Sequence, residues 1–233
     1  MTHQEKEHWP SFWAEYQNNV ANKDEQSQVL RTRNNQPIDQ RKWQITLTTL
    51  GQQLELQAND ILLDLCCGNG LFCAAFNDRV ALIEAVDISR ELTELLAKRN
   101  LQNVTVSTSD MRVVQFSDNR FTKVLWYAGI QYIDESDIVS MIRRIRSWMK
   151  QDGILMIGDI PDRSKLWDYF NDETRRASYF KGLEERKPII GSWLEADWLE
   201  RLCLASGFVS ASAVPQHEEL IYSDFRFDLI ART

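Results

Sequence analysis

ILLDLCCGNGLFC, residues 61 to 73, decides the fold. Ile61, Leu62 and Leu63 open an apolar run that stops at an acid, Asp64; Gly68 and Gly70 bracket Asn69, and Leu71 starts a second apolar stretch. A run this short reads as a buried strand, glycines let the backbone turn sharply, and the following stretch reads as a helix start. Strand, glycine turn and helix in succession form a nucleotide-cofactor turn. Asp64 falls at the carboxyl end of the strand, where ligands of open α/β sheets bind, and a second acid, Asp87, closes the next apolar run, LIEAVDIS.

Outward from this segment, strands and helices alternate. The spacing predicts strands at 60–65, 81–87, 103–108, 122–127 and 153–159. Helices are predicted at 71–77, at 90–100 after an N-cap at Ser89, and at 135–150 after Asp134. The last is the clearest, because Ile138, Met141, Ile142, Ile145, Trp148 and Met149 recur at three- and four-residue steps. Strands separated by helices pair in parallel. Upstream, Trp43, Leu47, Leu50 and Leu54 give one face of a helix over 38–57, and Trp9, Phe12, Trp13 and Tyr16 mark a lid helix over 9–20 joined by a polar tether. Downstream, 160–195 is aromatic-rich and is expected to be an insertion over the active face. A helix at 195–206 and two strand-like runs, FVSASAV and YSDFRFDLIA, finish the chain as an antiparallel pair. The expected division is a lid and first helix over 1–57 and a core over 58–233.

Composition narrows the partners. The 233 residues carry 27 basic against 34 acidic side chains, a net charge of −7 and a pI near 5.1, which gives phosphate backbones no attraction. Nucleic acid is therefore not expected as a partner. MTHQEKEHWP lacks the apolar core of a signal peptide and no stretch approaches the roughly 20 apolar residues of a membrane span, so a cytoplasmic protein without membrane partners is expected. The four cysteines, Cys66, Cys67, Cys73 and Cys203, match neither zinc knuckles nor a disulfide framework, and are read as small buried thiols. No clustered His and carboxylate ligands suggest a metal.

The turn resembles the first motif of class I S-adenosylmethionine-dependent methyltransferases, D-x-G-x-G-x-G, with Asp64, Gly68 and Gly70 matching and Cys66 in place of the first glycine. The resemblance implies a Rossmann-like mixed seven-stranded sheet of order 3-2-1-4-5-7-6, with strand 7 antiparallel, helices on both faces and an N-terminal helical lid. It also implies S-adenosylmethionine as cofactor. Asp64, Cys66 and Gly68-Asn69-Gly70 would lie under the methionine portion and the ribose edge. Asp87, with Ile88 beside it, can accept both ribose hydroxyls. Asp110 and Met111 match the family position for the adenine ring. Trp126, Tyr127 and Gln131, after the fourth strand, are expected to wall the cleft. Arg31, Arg33 and Asn35 are candidates for the cofactor carboxylate, Arg33 foremost. The N-P-P-Y-like tetrad of amino-group methylases is absent, which disfavours base methylation. FW-x-x-Y, DIPDR-x-x-LW, I-G-S-W and Y-x-x-F-R-F-D-L resemble methyltransferases of bacterial polysaccharide or secondary-metabolite clusters. Thr122 stands where relatives carry an acid.

The expected reaction moves a methyl group to an oxygen, less readily a nitrogen, of a small metabolite or sugar precursor, in a monomer or homodimer. Asp159, Asp162 and His217 are candidate bases, Asp159 and His217 being preferred. Two other readings stand beside it. A nicotinamide-dependent oxidoreductase shares the strand, turn and acid, although the dinucleotide fingerprint fails where its third glycine would be Cys73. A non-catalytic cofactor-binding module is the other.

Overall fold

The structure is a computed structural model that describes His8, Trp9, residues 11–13 and residues 22–233. Its centre is a seven-stranded sheet of order β5-β4-β3-β6-β7-β9-β8. The strands are β3 (Ile61–Leu65), β4 (Leu82–Asp87), β5 (Val104–Thr108), β6 (Phe121–Tyr127), β7 (Met149–Pro161), β8 (Ser210–Pro215) and β9 (Arg226–Arg232). β3 to β7 pair in parallel, and β9 is antiparallel to both of its neighbours. Counting from β3 as the first, the order is 3-2-1-4-5-7-6 with the seventh strand reversed, as expected.

The alternation of side chains along each strand splits the core into two layers. Leu63, Leu65, Val124 and Trp126 point toward α5 (Glu135–Trp148) and α8 (Ala196–Ala205). Leu62, Leu125 and Tyr127 point toward α2 (Gln40–Gln53) and α3 (Leu71–Phe76). Both faces of β3 are therefore buried, which is why its sequence is continuously apolar rather than alternating. α4 (Arg90–Lys98) starts at Ser89, whose hydroxyl accepts from the Leu92 amide at 3.1 Å, and α5 starts at Asp134, which caps the Asp137 amide at 2.9 Å. Thr122 ties β6 to β3: its hydroxyl accepts from the Ile61 amide at 3.0 Å and lies 3.3 Å from the Ile61 carbonyl.

Two segments differ from expectation. Residues 22–37 are not a loose tether. They form α1 (Glu25–Gln28), capped by Asp24, and a ribbon of β1 (Thr32–Arg33) and β2 (Gln36–Pro37). Asn34 and Asn35 both have left-handed φ, 53° and 58°, the backbone of a two-residue hairpin turn. The segment after β7 reaches the cleft through Ile189 and Ile190, but its aromatic rings do not line it. Its side chains pack mainly on each other, Trp167 on Tyr179 and Phe170 on Trp193, with Trp167 and Phe180 left half exposed. α6 (Leu166–Tyr169) and α7 (Glu173–Glu184) carry most of these rings. The expected lid helix over 9–20 is described only at Trp9 and 11–13, which are helical; Tyr16 lies outside the described residues.

Candidate active site

The carboxyl ends of β3, β4, β5, β6 and β7 converge on a cleft with about 270 Å³ of room. Its floor is the glycine turn. Cys66 has φ 62°, Gly68 55° and Gly70 77°, so the position where Cys66 replaces the first glycine keeps the left-handed backbone that glycine would supply. A β-carbon on Gly70 would come within 2.2 Å of Leu96 Cδ1, so both φ and space reserve that position for glycine.

Asp87 braces the turn. One carboxylate oxygen accepts from the Gly68 amide and the other from the Ser89 amide, each at 2.8 Å. Burial raises the Asp87 pKa, and the amides of Ser89 and Gly68 oppose that shift. Each oxygen retains a further lone pair for a ligand hydroxyl. Along the same rim, Asp110 accepts from the Arg112 amide at 2.8 Å and from Arg112 Nη2 at 2.5 Å. Burial pushes its pKa up, but the hydrogen bonds and charge of Arg112 outweigh it and hold the carboxyl below its ordinary value.

Asp64 plays a different part. It is buried beneath the turn, outside the cleft lining, and accepts from the Cys73 thiol at 3.2 Å. Burial raises its pKa to about 7 despite that bond, and Asp87 adds to the rise. Cys73 thus fills the place of the third dinucleotide glycine with a side chain that serves Asp64. Burial also pushes the thiols of Cys66, Cys67 and Cys73 well up, which keeps them protonated.

A strap crosses the turn. Asn69 Nδ2 donates to the Glu25 carbonyl at 2.9 Å and to Gln28 Oε1 at 2.6 Å, while Arg99 reaches the Asn69 carbonyl at 3.0 Å and Glu25 at 2.8 Å. Farther along, the Tyr222 hydroxyl donates to the carbonyls of Leu30 at 3.2 Å and Thr32 at 2.5 Å. The strap lowers Arg31 into the cleft over the rings of Tyr127, Phe72 and Trp43, 4.7, 5.1 and 5.5 Å from their centroids. Arg31 makes no ion pair among the described residues, and its buried Nε has no acceptor.

Beside the strap, β7 bulges between Ile157 and Ile160, and Asp159 adopts φ 63° there. Asp159 is 4% exposed. Its Oδ2 and its carbonyl both accept from Arg226 Nη1 at 2.8 Å, and its amide donates to Asp228 at 2.8 Å. Behind it, Gln216 bonds Asp228 at 2.8 Å, and burial raises the Asp228 pKa to about 6. The Tyr132 ring lies 4.5 Å from Trp9 and 5.7 Å from Trp13, its hydroxyl has Arg226, Asp159 and Cys66 as charged or titratable neighbours, and burial pushes its pKa up to about 12. Gln131 donates to the Ala128 carbonyl at 3.0 Å and leaves Oε1 buried without a donor.

Of the residues singled out in the sequence, Cys66, Gly68, Asn69, Asp87, Ile88, Asp110, Met111, Tyr127, Gln131 and Asp159 line this cleft. Seven do not. Asn35 lies in the β1–β2 turn and Asp162 accepts from the Ser164 amide. Asp64 sits beneath the glycine turn, and Gly70, within it, starts α3 away from the lining. Trp126 is fully buried in the core layer against α5, since strand alternation turns it away from Tyr127. Arg33 points outward to the Ile221 carbonyl and Asp224, leaving Arg31 as the arginine of that pair in the cleft. His217 stands exposed in the β8–β9 connection, its Nδ1 accepting from the Glu219 amide at 3.2 Å. Tyr132, Tyr222 and Arg226 line the cleft and were not singled out; Tyr132 follows the fourth strand within WYAGIQY, and the other two flank the start of β9.

Three acids and a glycine turn around one cleft, with Arg31 facing them and Asn69 Oδ1, Gln131 Oε1 and Arg31 Nε awaiting partners, fit a zwitterionic adenosyl cofactor. Among the described residues no three metal-ligating side chains come together, and no helix is long and apolar enough to cross a membrane. Residues 62–153 match a family model described as a methyltransferase domain. The fold and this match, which spans less than half of the chain, liken it to class I S-adenosylmethionine-dependent methyltransferases. Among proteins similar to it is (S)-coclaurine N-methyltransferase of Thalictrum flavum subsp. glaucum, 27% identical over 124 residues, 51% of this chain. The chain spans about a third of that relative's length, 34%. Among solved structures, a DhpI-SAM-HEP complex aligns over 100% of both chains at a TM-score of 0.69 and 14% identity. Phosphoethanolamine N-methyltransferase 1 of Haemonchus contortus, in complex with phosphoethanolamine and S-adenosylhomocysteine, aligns over 71% of this chain and 34% of its own at 0.61 and 15%. At these identities the structural likeness is one of fold.

Proposed function

We propose that this protein transfers a methyl group from S-adenosylmethionine to an oxygen of a small acceptor. The observation that carries it is the single cleft in which Asp87 and Asp110 stand at one end, Asp159 at the other, and the strap and aromatic rings above. When bound, the cofactor supplies an electrophilic methyl group on a sulfonium that is already a good leaving group. The residues are left with alignment, exclusion of water and one proton. Asp87 holds the ribose diol; Asp110, Met111 and Ile88 hold the adenine; Arg31 holds the carboxylate. Trp9, Phe12 and Trp13 exclude water above Tyr132.

An oxygen acceptor needs its proton removed, and the residue suited to this is Asp159. Arg226 occupies Oδ2, whereas the nearest donor to Oδ1 is Gln216 Nε2 at 3.4 Å, so Oδ1 can take the hydroxyl proton. Nitrogen transfer is a second reading, favoured by the N-methyltransferase relative. The test is calorimetry with S-adenosylhomocysteine and NADH, followed by methyl transfer to panels of small alcohols and amines. Binding of NADH in preference to the adenosyl ligand would overturn the cofactor reading; turnover of amines alone would move the acceptor atom to nitrogen.

A further inference from the structure

Arg226 is held in a manner that leaves part of it unused. Its side chain is 10% exposed, lines the cleft, and lies over Tyr222 and Phe225 at 4.8 and 5.4 Å. Both of its protein hydrogen bonds leave from Nη1, to the carbonyl and the carboxylate of Asp159. Nε is buried with no acceptor, and Nη2 makes no hydrogen bond among the described residues. Nε–H and the adjacent Nη2–H form the side-on edge of the guanidinium, the edge that pairs bidentately with two oxygens of one oxyanion. A buried donor without a partner forfeits its solvation with nothing in return. A fold that spends a bulged, left-handed Asp159 on fixing one end of this arginine while leaving the other end bare has prepared it for a ligand.

We propose that the acceptor is a small molecule bearing a carboxylate or phosphoryl group, and that Arg226 binds this oxyanion through its Nε–Nη2 edge. This rests on the cofactor reading above and names the acceptor class within it. Asp159 anchors the guanidinium and also faces the cleft, so an acceptor gripped there brings its own hydroxyl, a few bonds from the anion, to the carboxylate that takes the proton. The neighbouring Tyr132 hydroxyl stays a phenol donor and adds a neutral contact. Recognition of the anion by Arg226 makes the pocket selective for charge rather than for ring shape.

The test uses the whole chain saturated with S-adenosylhomocysteine, at constant chloride, with tryptophan fluorescence and calorimetry as readouts. Sodium phosphate and sodium acetate are titrated in separate arms, with ethylene glycol and ethanolamine as neutral and cationic probes. Saturable binding of phosphate or acetate, tighter than either control, is expected, and the tighter of the two anions assigns the source. Arg226→Gln is expected to weaken that binding at least tenfold, Arg226→Lys less, with affinity for S-adenosylhomocysteine unchanged in both. Binding no tighter than ethylene glycol, or equal binding by Arg226→Gln, would overturn the proposal. The wild-type comparison decides the matter even where the variants fold poorly. Failure to bind S-adenosylhomocysteine at all is a separate result, and it would remove the cofactor reading and this inference together.

Discussion

Replacing Asp87 by alanine is the sharpest probe of the cofactor end. In the structure each Asp87 oxygen accepts one backbone amide at 2.8 Å and keeps one lone pair directed at the cleft, so a ribose diol can add one charged hydrogen bond per oxygen. Hydrogen bonds to a charged group are worth roughly 1.5–3 kcal/mol each, but water enters the vacated space and solvates the hydroxyls, so the net loss is about that of one bond. That is about a 10- to 150-fold rise in Kd, at 1.4 kcal/mol for each factor of ten. Calorimetry with S-adenosylhomocysteine measures it directly, with Asp118→Ala, an exposed acid outside the cleft, as control. Because the variant also frees the Gly68 and Ser89 amides, urea unfolding on the same sample separates a loosened turn from a lost contact. A Kd within twofold of the parent, in a folded variant, would remove the ribose from Asp87. Burial has raised the Asp87 pKa, so affinity in the parent is expected to fall with acidification at a higher pH than an ordinary aspartate would dictate.

Three further outcomes follow from the geometry. Gly70→Ala combines a left-handed φ, at ~1–2 kcal/mol, with an overlap on Leu96, at ~1–3 kcal/mol, and urea unfolding should show a loss of about 2–5 kcal/mol; a loss under 1 kcal/mol would contradict the packing described. Asp64 has a native pKa of about 7 against 3.8 for the ordinary group, so the native state holds the extra proton and stability contributed by the neutral form is lost as pH rises from 4 to 7. Asp64→Asn should therefore gain on the parent across that window, by up to ~4 kcal/mol, and level off above it; parallel pH profiles would refute the assignment. Asp159→Asn keeps the left-handed backbone but not the base, and turnover of a hydroxyl acceptor should drop ~10²–10⁴-fold with the S-adenosylhomocysteine affinity unchanged; undiminished turnover would exclude Asp159 as the base.

The sheet was legible because its signals are local. Each parallel strand is a short apolar run bounded by a turn, and the observed ends fall within about two residues of expectation except at β7, where the strand begins at Met149, directly after Trp148, and turns back through Asp152 at φ 59°. Cleft-facing acids at the strand ends were legible for the same reason. What escaped was long-range. Arg226 reaches the cleft only because β9 inserts beside β7, and Arg31 rather than Arg33 enters it because Asn69 and Tyr222 pin the strap. The strap did carry a signal, the Asn34-Asn35 pair, which suits a two-residue hairpin turn. His217 has a suitable intrinsic pKa, yet proximity to a strand end in sequence does not aim a side chain inward. Trp126 adjoins Tyr127 in sequence, but neighbours on a strand face opposite ways, and only Tyr127 meets the cleft.

The bulge at Asp159 also constrains the history this position can have. A backbone at φ 63° admits asparagine or glycine at small cost and penalises nearly every other replacement. Descendants that abandon the carboxylate are thereby channelled toward those two residues. An asparagine or glycine at the kink of this strand, with the arginine opposite retained, would mark a lineage that kept its grip on the substrate after giving up the proton.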